Sequence, residues 1–438
     1  MQTFFDLKGK HVHFVGINGV GVNALAKYCL EEGAIVSGSD RHIGDYCLPL
    51  IQAGCDLKEG ANLAALESAD ALVYTSAIRE DNPELLRAKE KNIKVFERHE
   101  FLSGIAKGFD KVVGIAGSHG KTTVTAMLTH VLKAAGKNFV SMIGGDAIKY
   151  SNFVNNQADG ERIFVTEACE YRRHMLSLDL DVAVLLNTDW DHPDSYPTRE
   201  SVELAFAEFL NKAQTQIDGK DNFVHVRGDD ETTFEYDGRR VFLNGEFVGV
   251  LGENLKGEYN KRNALFAIAT ACALGVKQAT AIKAVNTFLG VKRRFEYVGK
   301  IGGVPVVFDF AHHPTEIKNL LERASEYGKM LVVFQPHTYS RTKAYMNEFA
   351  EVFASSKDIS SLILLPTYAA REAFDKDFDS DALMRKILSK NAELKVYLAK
   401  DNASSAEFAK YMAKDVGIVL FVGAGDIYDL RRYFQVQE

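Results

Sequence analysis

Short apolar runs alternate with glycine-rich or polar turns and with segments of helical spacing along most of the chain. The first example is the apolar run His11–Val15, followed by the turn Gly16–Gly21 and an amphipathic segment from about Val22 to Glu31. Apolar runs of this length, each followed by helical periodicity, are typical of buried parallel strands joined by crossover helices. The pattern therefore predicts an α/β fold built on parallel sheets.

The strand–turn–helix pattern recurs in three units, which we expect to form domains over residues 1–107, 108–294 and 295–438. The chain is longer than the roughly 100–200 residues of one domain. Between Asp218 and Val250 the pattern changes to short strands with turns at Asp237-Gly238 and Asn244-Gly245, which predicts antiparallel hairpins. The other predicted strands are Ala34–Ser37, Ala71–Tyr74, Lys111–Ala116, Arg162–Thr166, Val182–Leu186, Val304–Phe308, Met330–Phe334, Leu362–Leu365 and Ile418–Val422, and the other predicted helices are Thr123–Ala135, Leu255–Leu274 and Thr315–Tyr327.

Composition narrows the class of protein. The net charge of −7 gives no overall basic field for nucleic acid or for an acidic membrane surface. No apolar stretch approaches the roughly 18 residues of a membrane-spanning helix, and the first residues lack the pattern of a secretory signal. The five cysteines are scattered without metal-ligand spacing, which favours reduced thiols. We therefore expect a cytoplasmic protein that does not bind nucleic acid or insert into a membrane. A separate expectation, which composition does not supply, is a monomer or a homodimer that acts on small molecules.

The strongest chemical signal is the segment GIAGSHGKTT, residues 114–123, between an apolar strand and a predicted helix. Glycines let the backbone turn tightly, so successive N–H groups point at phosphate oxygens, and the helix N-terminus adds its positive dipole end. Lys121 would bridge the β- and γ-phosphates of ATP, and the Thr122 hydroxyl would ligate Mg²⁺. The predicted nucleotide-binding residues of the loop are Gly117, Ser118, His119, Gly120, Lys121, Thr122 and Thr123. The alternative is a glycine-rich turn that only opens a helix.

The phosphate loop departs from the general pattern, since Ile115 stands where the first glycine is usual. The spacing G-x-x-G-[ST]-x-G-K-[ST] is instead that of the Mur ligases and the folylpolyglutamate synthases. Six further segments follow the Mur ligase order, namely GINGVG at 16–21, TSAI with DNPE at 75–84, EACEY at 167–171, NTDWDHPD at 187–194, DFAHHPTE at 309–316 and QPHTYSRTK at 335–343. The chain thus resembles the Mur ligase family over nearly its whole length, and most closely its alanine-adding branch.

The resemblance implies three domains: a Rossmann-like domain that binds the UDP of a nucleotide sugar, a central ATPase-type domain with the phosphate loop, and a Rossmann-like C-terminal domain. The implied sugar-nucleotide residues are Gly16, Asn18, Gly19, Val20, Gly21, Asp40, Ser76 and Ala77. Asn18 and Val22 replace the expected glycine and methionine. The glycines alone would also be explained by close packing of a helix on a strand.

Two segments at strand ends are candidates for the metal. A carboxylate at such a position completes a Mg²⁺ shell with Thr122, since Mg²⁺ prefers hard oxygen ligands. Glu167 matches the family's metal-binding Glu, and His192 would bind a second metal or position the reacting carboxylate. Glu170 is interpreted as a solvated surface residue. A lone His is more often structural, but His192 has acidic neighbours at a strand end.

The remaining site residues are implied by the resemblance. Asn260 and Asn263 would lie near the adenine, although Asn also suits a helix cap and Tyr259 replaces the family's His. Arg294 would be a cation of the nucleotide site. His312 or His313 would contact the incoming amino acid or the closing interface. Arg341 would hold a carboxylate or a transferring phosphoryl group, and the alternative is a solvated loop Arg.

The implied activity is ATP-dependent joining of L-alanine to the carboxylate of UDP-N-acetylmuramate through an acyl phosphate, in peptidoglycan precursor synthesis. A closing third domain would keep that intermediate from water. The alternatives within the group are a murein tripeptide-recycling ligase and a folylpolyglutamate-type ligase. An NAD-dependent oxidoreductase is disfavoured, since the first turn lacks the G-x-G-x-x-G order. A non-catalytic nucleotide-binding regulator is disfavoured by the intact Lys121, Glu167 and His192.

Overall fold

Three sheets organise the chain in a computed structural model that describes residues 6–191, 195–255, 257–370 and 372–434. One compact unit ends at Leu289 and a second begins at Gly290. The first unit contains two sheets and the second contains one. The predicted α/β class with three sheet-containing regions is confirmed, whereas the predicted domain boundaries stay predictions.

The first sheet has five parallel strands in the order β3-β2-β1-β4-β5. All five residues of β1 are buried, which explains why this strand reads as a continuous apolar run in the sequence. Its strands are β1 (His11–Val15), β2 (Ile35–Asp40), β3 (Asp56–Glu59), β4 (Ala71–Tyr74) and β5 (Lys94–Glu97), and its helices are α1 (Val20–Glu31), α2 (Leu48–Gln52), α3 (Pro83–Glu90) and α4 (Arg98–Ala106).

The second sheet has ten strands in the order β15-β14-β13-β12-β11-β10-β6-β9-β7-β8. The five central strands, β11, β10, β6, β9 and β7, are parallel to one another. Their carboxyl ends therefore lie at one edge of the sheet. Its strands are β6 (Lys111–Ala116), β7 (Phe139–Met142), β8 (Phe153–Asn156), β9 (Ile163–Glu167), β10 (Val182–Leu185), β11 (Thr215–Lys220), β12 (Phe223–Arg227), β13 (Thr232–Asp237), β14 (Arg240–Leu243) and β15 (Glu246–Val250), and its helices are α5 (Lys121–Ala134), α6 (Arg199–Leu210), α7 (Glu258–Ala273) and α8 (Gln278–Val285).

The predicted antiparallel hairpins are confirmed at one end of the second sheet. Strands β13 and β14 pair through Asp237 and Arg240, and β14 pairs with β15 through Leu243 and Glu246. The turn between β14 and β15 is Asn244-Gly245, and both residues have positive φ, 50° and 82°. Asn-Gly is the preferred sequence for a turn that requires positive φ at both positions.

The third sheet has the order β16-β17-β21-β18-β19-β20, and only β16 runs antiparallel to its neighbour among the described strands. Its core includes Phe308 and Phe421, whose rings stack with centroids 4.8 Å apart. Its strands are β16 (Glu296–Ile301), β17 (Val304–Asp309), β18 (Met330–Phe334), β19 (Ile359–Leu364), β20 (Val396–Leu398) and β21 (Ile418–Val422), and its helices are α9 (Pro314–Ala324), α10 (Tyr339–Ser355), α11 (Ser380–Lys390) and α12 (Asn402–Met412).

The elements that were predicted differ from the observed ones mainly at their ends. Six described strands had no predicted counterpart, namely β3, β5, β7, β8, β16 and β20. Helix α1 begins at Val20 and α5 begins at Lys121, so each helix starts two residues earlier than predicted. Helix α7 begins at Glu258 rather than at Leu255, after the N-cap residue Gly257. Among the described residues, every helix is too short or too polar to span a bilayer.

Candidate active site

The predicted phosphate loop connects the end of β6 to the start of α5, in the middle of the second sheet. Gly117 and Gly120 have φ of 135° and 90°, values that side chains disfavour. A Cβ at Gly117 would lie 3.1 Å from Cβ of Leu186, and one at Gly120 would lie 3.0 Å from Oδ1 of Asn263. Both glycines are therefore required by the backbone conformation and by close packing.

The end of β10 holds the middle of this loop. Oδ1 of Asn187 accepts a hydrogen bond from the His119 N–H at 3.1 Å, and Nδ2 of Asn187 donates to the His119 carbonyl at 2.8 Å. The Ser118 hydroxyl donates to the carbonyl of Asp189. These contacts fix the loop backbone from a neighbouring strand. Asn187 belongs to the segment that was singled out for His192, and His192 itself lies outside the described residues.

Lys121, the phosphate-loop lysine, is held by Glu170. Its Nζ lies 3.0 Å and 2.8 Å from Oε1 and Oε2 of Glu170, and it also donates to the carbonyl of Gly117 at 2.5 Å. Glu170 is 3% exposed, so the interpretation of this residue as a solvated surface residue was wrong. A buried carboxylate needs a partner, and the lysine provides one.

The two charges also determine the titration of Lys121. Burial opposes the charged form of the ammonium, but nearby groups, of which Glu170 contributes most, together outweigh it, so the pKa of Lys121 is raised. The lysine therefore stays charged at neutral pH. The sequence signal for this pair was available in EACEY, since Glu170 follows Glu167 by three residues just beyond β9.

Glu167 and Thr122 approach the same short loop. The backbone N–H of Gly144 donates to Oε1 of Glu167. A Cβ at Gly145 would lie 3.5 Å from Cγ2 of Thr122. A hydroxyl and a carboxylate at the end of the phosphate loop form a donor set of hard oxygens, which fits Mg²⁺.

Helix α7 lies beside the loop and carries three polar residues of its first turns. Asn263 packs against Gly120, and its nucleotide contact stays a prediction. Asn260 is the third residue of the helix, after the N-cap Gly257, so the alternative of an Asn cap is wrong. Arg262 was missed by the sequence analysis, and its Nη2 donates to the carbonyls of Leu186 at 3.1 Å and Gly219 at 2.7 Å. Arg262 therefore ties α7 to the ends of β10 and β11.

The glycine-rich turn of the first sheet is fastened to the end of β2. The N–H groups of Gly16 and Ile17 donate to the carbonyl of Ser39 at 2.8 Å and 3.1 Å. The N–H of Asn18 donates to Oδ2 of Asp40 at 2.9 Å. The predicted sugar-nucleotide residue Asp40 therefore shapes the turn directly.

The other predicted residues of this site lie around the same turn. A Cβ at Gly16 would lie 2.5 Å from Cγ2 of Thr75, which places the segment with Ser76 and Ala77 beside the turn. The Asn18 side chain contacts the segment that follows β2, where its Oδ1 accepts a hydrogen bond from the N–H of Gly44 at 3.1 Å. Gly19 donates to Gly16, and Val20 and Gly21 begin helix α1. The structure therefore brings all eight predicted sugar-nucleotide residues to the edge of the first sheet.

A buried polar network supports the end of β2 from below. Glu84 is 2% exposed, and its Oε2 accepts a hydrogen bond from the Ser39 hydroxyl at 2.8 Å. Its Oε1 accepts from the backbone N–H of Asn62 at 2.9 Å and lies 3.1 Å from Nε2 of His13. Burial raises the pKa of Glu84, but these hydrogen bonds outweigh burial and the pKa is lowered. The Glu of the DNPE segment therefore has a structural contact that the sequence did not assign.

In the second unit, the DFAHHPTE segment joins β17 to α9. The His312 N–H donates to Oε2 of Glu316 at 3.0 Å, and Nδ1 of His312 lies 3.0 Å from the carbonyl of Phe310. Nη1 of Arg294 donates to Oε1 of Glu316 at 3.3 Å. The structure therefore brings Arg294 and His312 together through one carboxylate.

The other His of this segment has a different environment. Nδ1 of His313 accepts the N–H of Thr315 at 3.3 Å, so His313 caps α9. Its ring packs edge-on against Tyr345, with centroids 4.7 Å apart. His313 is 6% exposed, and its predicted catalytic role stays a prediction.

Arg341, His312 and His337 form an electrostatic group in the second unit. Burial lowers the pKa of His312 to about 3, and the nearby Arg341 acts in the same direction. Burial also lowers the pKa of His337 to about 4, again with a contribution from Arg341. Both imidazoles are therefore neutral at pH 7, which leaves the guanidinium of Arg341 as the positive charge among these three groups.

One further cluster in the described part of the chain has metal-ligand spacing: Glu97, His99 and His174. The two imidazole rings are stacked, with centroids 4.0 Å apart and planes 6° apart. A metal ion bound by an imidazole nitrogen lies near the plane of that ring at roughly 2.1 Å. Two parallel rings at this separation leave no single point in both planes, so the arrangement does not fit a shared ion.

The fold and the site together define a class of protein: an α/β enzyme scaffold with a phosphate loop, a second glycine-rich turn and acidic groups at the carboxyl edges of parallel strands. Comparison with protein families identifies three segments. Residues 11–110 match "Mur ligase family, catalytic domain", residues 115–238 match "Mur ligase middle domain", and residues 293–425 match "Mur ligase, glutamate ligase domain". The chain belongs to the Mur ligase family.

Individual relatives match from end to end. The chain is 33% identical to the UDP-N-acetylmuramate–L-alanine ligase of Clostridium botulinum, with 97% of each chain covered. It is 34% identical to the enzyme of the same name from Clostridium acetobutylicum, covering 98% of this chain and 99% of that protein. Among solved structures, UDP-N-acetylmuramate-alanine ligase from Thermotoga maritima is similar with a TM-score of 0.75 at 24% identity, covering 97% of this chain and 98% of that one. A murein peptide ligase from Psychrobacter arcticus shares the fold with a TM-score of 0.64 at 20% identity, with 97% and 98% covered.

The Glu170–Lys121 pair generates a binding prediction. A phosphate must share or replace Glu170 as the partner of Lys121, so Glu170→Gln should bind Mg-ADP more tightly than wild type. A charge-assisted hydrogen bond exceeds a neutral one by about 1 kcal/mol, which corresponds to a roughly fivefold lower Kd in calorimetry. Glu161→Gln, an exposed carboxylate at the other end of β9, is the matched control. Equal or weaker binding by folded Glu170→Gln would show that the carboxylate does not compete with phosphate.

The neutral histidines of the second unit predict a pH dependence of stability. His337 has a folded pKa of about 4 against an ordinary 6.5, so the unfolded chain takes up a proton first as the pH falls. The stabilisation is complete above pH 6.5 and is lost as the pH falls toward 4. We expect the thermal midpoint of wild type to drop between pH 7 and pH 5, and His337→Asn to drop less. The control is His42→Asn, whose side chain is 79% exposed and which should follow wild type. Identical losses in wild type and His337→Asn would contradict the assignment.

Proposed function

We propose that this protein joins L-alanine to the carboxylate of UDP-N-acetylmuramate, with cleavage of ATP to ADP and phosphate, in peptidoglycan precursor synthesis. The observation that carries the proposal is the end-to-end similarity to relatives of that name, at 33% and 34% identity. The phosphate loop with Lys121 and the glycine-rich turn of the first sheet support it independently. Likeness to a murein peptide ligase is a likeness of fold, so the recycling reaction is not favoured.

A carboxylate does not react readily with an amine, because an oxide ion is a poor leaving group. In the first proposed step, the muramyl carboxylate attacks the γ-phosphorus of ATP in line, and ADP leaves. In the second step, the amine of alanine attacks the acyl carbon, and phosphate leaves through a tetrahedral intermediate. Both steps concentrate negative charge on phosphoryl oxygens, so positioning and electrostatic stabilisation are what the protein must supply.

Residues of the first unit are proposed to supply these interactions. The ammonium of Lys121 would exchange Glu170 for the β- and γ-phosphates as its partner. The loop held by Asn187 would direct backbone N–H groups at the same phosphates. Thr122 and Glu167, with His192 outside the described residues, would hold Mg²⁺, which neutralises phosphate charge when bound. Asn263, beside Gly120, would lie along the bound nucleotide.

The second unit would supply further cations and the amino-acid contacts. Arg341 is proposed to stabilise a transferring phosphoryl group or to hold a carboxylate, because the neighbouring imidazoles of His312 and His337 are neutral. Arg294 is paired with Glu316 and is proposed as a nucleotide contact. His312 is proposed to face the incoming amino acid.

The first experiment measures phosphate release from Mg-ATP with UDP-N-acetylmuramate and each of L-alanine, L-serine, glycine and the L-Ala-γ-D-Glu-diaminopimelate tripeptide. Release that requires both the nucleotide sugar and L-alanine is expected. Release with the tripeptide alone would make the protein a recycling ligase. Absence of release with every pair would reject amide ligation of this nucleotide sugar.

Two substitutions test the roles of the cations in the same assay. Lys121→Ala and Arg341→Ala should each lower kcat by about 10²- to 10³-fold, the range seen when one group that stabilises transition-state charge is removed. Arg385→Ala is the control for Arg341, since Arg385 is exposed and pairs with Asp381 on α11. A kcat of Arg341→Ala equal to that of wild type would contradict the proposal that Arg341 stabilises the transferring phosphoryl group.

A further inference from the structure

Asn152 connects the two sheets of the first unit at a fully buried position, with 0% exposure, directly before β8. Its side chain reaches three residues of helix α1. Oδ1 accepts a hydrogen bond from Nζ of Lys27 at 2.8 Å. Nδ2 donates to the carbonyl of Val20 at 2.8 Å and to Oδ1 of Asn23 at 3.3 Å. One amide therefore uses its acceptor and both donor directions on one helix.

Lys27 determines which way this amide faces. The lysine is 9% exposed, and burial lowers its pKa, with Asp146 acting in the opposite direction. An ammonium donates and never accepts, so only the oxygen of Asn152 can face it. The NH₂ group is then left to face Val20 and Asn23. A buried polar arrangement of this kind has one satisfied orientation.

The contacts continue into the glycine-rich turn. Nδ2 of Asn23 donates to the carbonyl of Ile17 at 3.3 Å. Ile17 and Val20 both belong to the turn at residues 16–21 that is proposed to bind the nucleotide sugar. Asn152 therefore supports this turn directly at Val20 and through one intermediary at Ile17.

The backbone of Asn152 closes a loop on the other side, which we call the 143–152 loop. The N–H of Asn152 donates to Oδ1 of Asp146 at 3.0 Å, and its carbonyl accepts from the N–H of Ile143 at 2.8 Å. The 143–152 loop carries Gly144, whose N–H donates to Glu167. A Cβ at Gly144 would lie 2.5 Å from Oε1 of Glu167, so the loop backbone is held directly against the proposed metal ligand.

We infer that Asn152 is a positioning residue that couples nucleotide-sugar binding at the 16–21 turn to metal-nucleotide binding at Thr122 and Glu167. The inference rests on the proposed function for the identity of the two ligands. A ligand at either end favours the backbone arrangement in which the contacts of Asn152 are made, and those contacts favour the binding-competent arrangement at the other end. Each ligand therefore strengthens binding of the other. The same residue holds both ends, so the coupling has a defined physical route.

Calorimetry with Mg-ADP and UDP-N-acetylmuramate tests the coupling without turnover. In wild type, each ligand should lower the Kd of the other by the same factor, about fivefold or more, because coupling between binding sites is reciprocal. In Asn152→Ala the factor should fall below about 2, since the side-chain contacts with α1 are removed while the backbone contacts remain. Each single-ligand Kd should change less than the coupling factor does.

Asn155→Ala is the matched control. Asn155 lies on β8, and its Nδ2 donates to Oε2 of Glu31 at 2.8 Å, at the far end of the same helix. The substitution therefore removes an amide contact with the same helix, from a residue three positions further along the chain, without touching the turn. A coupling factor in Asn155→Ala equal to that of wild type supports the inference. A wild-type coupling factor in Asn152→Ala, or an equal loss of the coupling factor in Asn155→Ala, overturns it.

Two further results complete the test. If Asn152→Ala does not fold, Lys27→Met replaces it, since it removes the ammonium that orients the amide and leaves Asn152 in place; an unchanged coupling factor in Lys27→Met then overturns the inference. If wild type binds both ligands and neither ligand changes the Kd of the other, the inference fails and the proposed function stands. If wild type does not bind UDP-N-acetylmuramate, the proposed function fails as well.

Discussion

The buried ion pair between Lys121 and Glu170 is the interaction on which the central site depends. A lysine at the mouth of a phosphate loop must be charged and fixed, and burial opposes the charge. Glu170 meets both requirements because β9 lies next to β6, in a register that pairs Ile115 with Glu167. The residues just beyond β9 then face the residues just beyond β6. The parallel sheet thus provides the counter-charge for the lysine.

The same edge gathers the other polar groups of the site. Asn187 follows β10 on the other side of β6, and it clamps the backbone of His119. Arg262 ties α7 to the same strand ends. Asn187 reaches the loop, and Arg262 reaches the strand ends beside it, only because the carboxyl ends of parallel strands meet at one edge. A loop fixed from several sides has its N–H groups arranged before any phosphate binds, which is the condition for electrostatic preorganisation.

The first unit holds two candidate ligand sites, and buried polar groups support both. Glu84 holds the end of β2 beneath the glycine-rich turn, and Asn152 joins that turn to the 143–152 loop. Buried polar groups are costly when unpaired, so a satisfied set has few alternative arrangements. In the second unit, burial lowers the pKa of His312 and of His337, so both imidazoles are neutral beside the charged Arg341.

The sequence by itself determined the α/β class, most strand positions, the phosphate loop and the family resemblance. These features are local: an apolar run of about four to six residues predicts a strand, and glycines at fixed offsets before a Lys-Thr pair predict the loop. Strands such as Ala71–Tyr74, Lys111–Ala116 and Met330–Phe334 were predicted to the residue. Only the tertiary structure decided which side chains pair with one another in ion pairs and hydrogen bonds. Glu170 looked like a surface residue until β9 placed it against Lys121, and Asn152 and Arg262 carried no signal at all. Hydrogen bonds between residues far apart in the chain depend on strand order and helix packing, which short-range patterns do not specify.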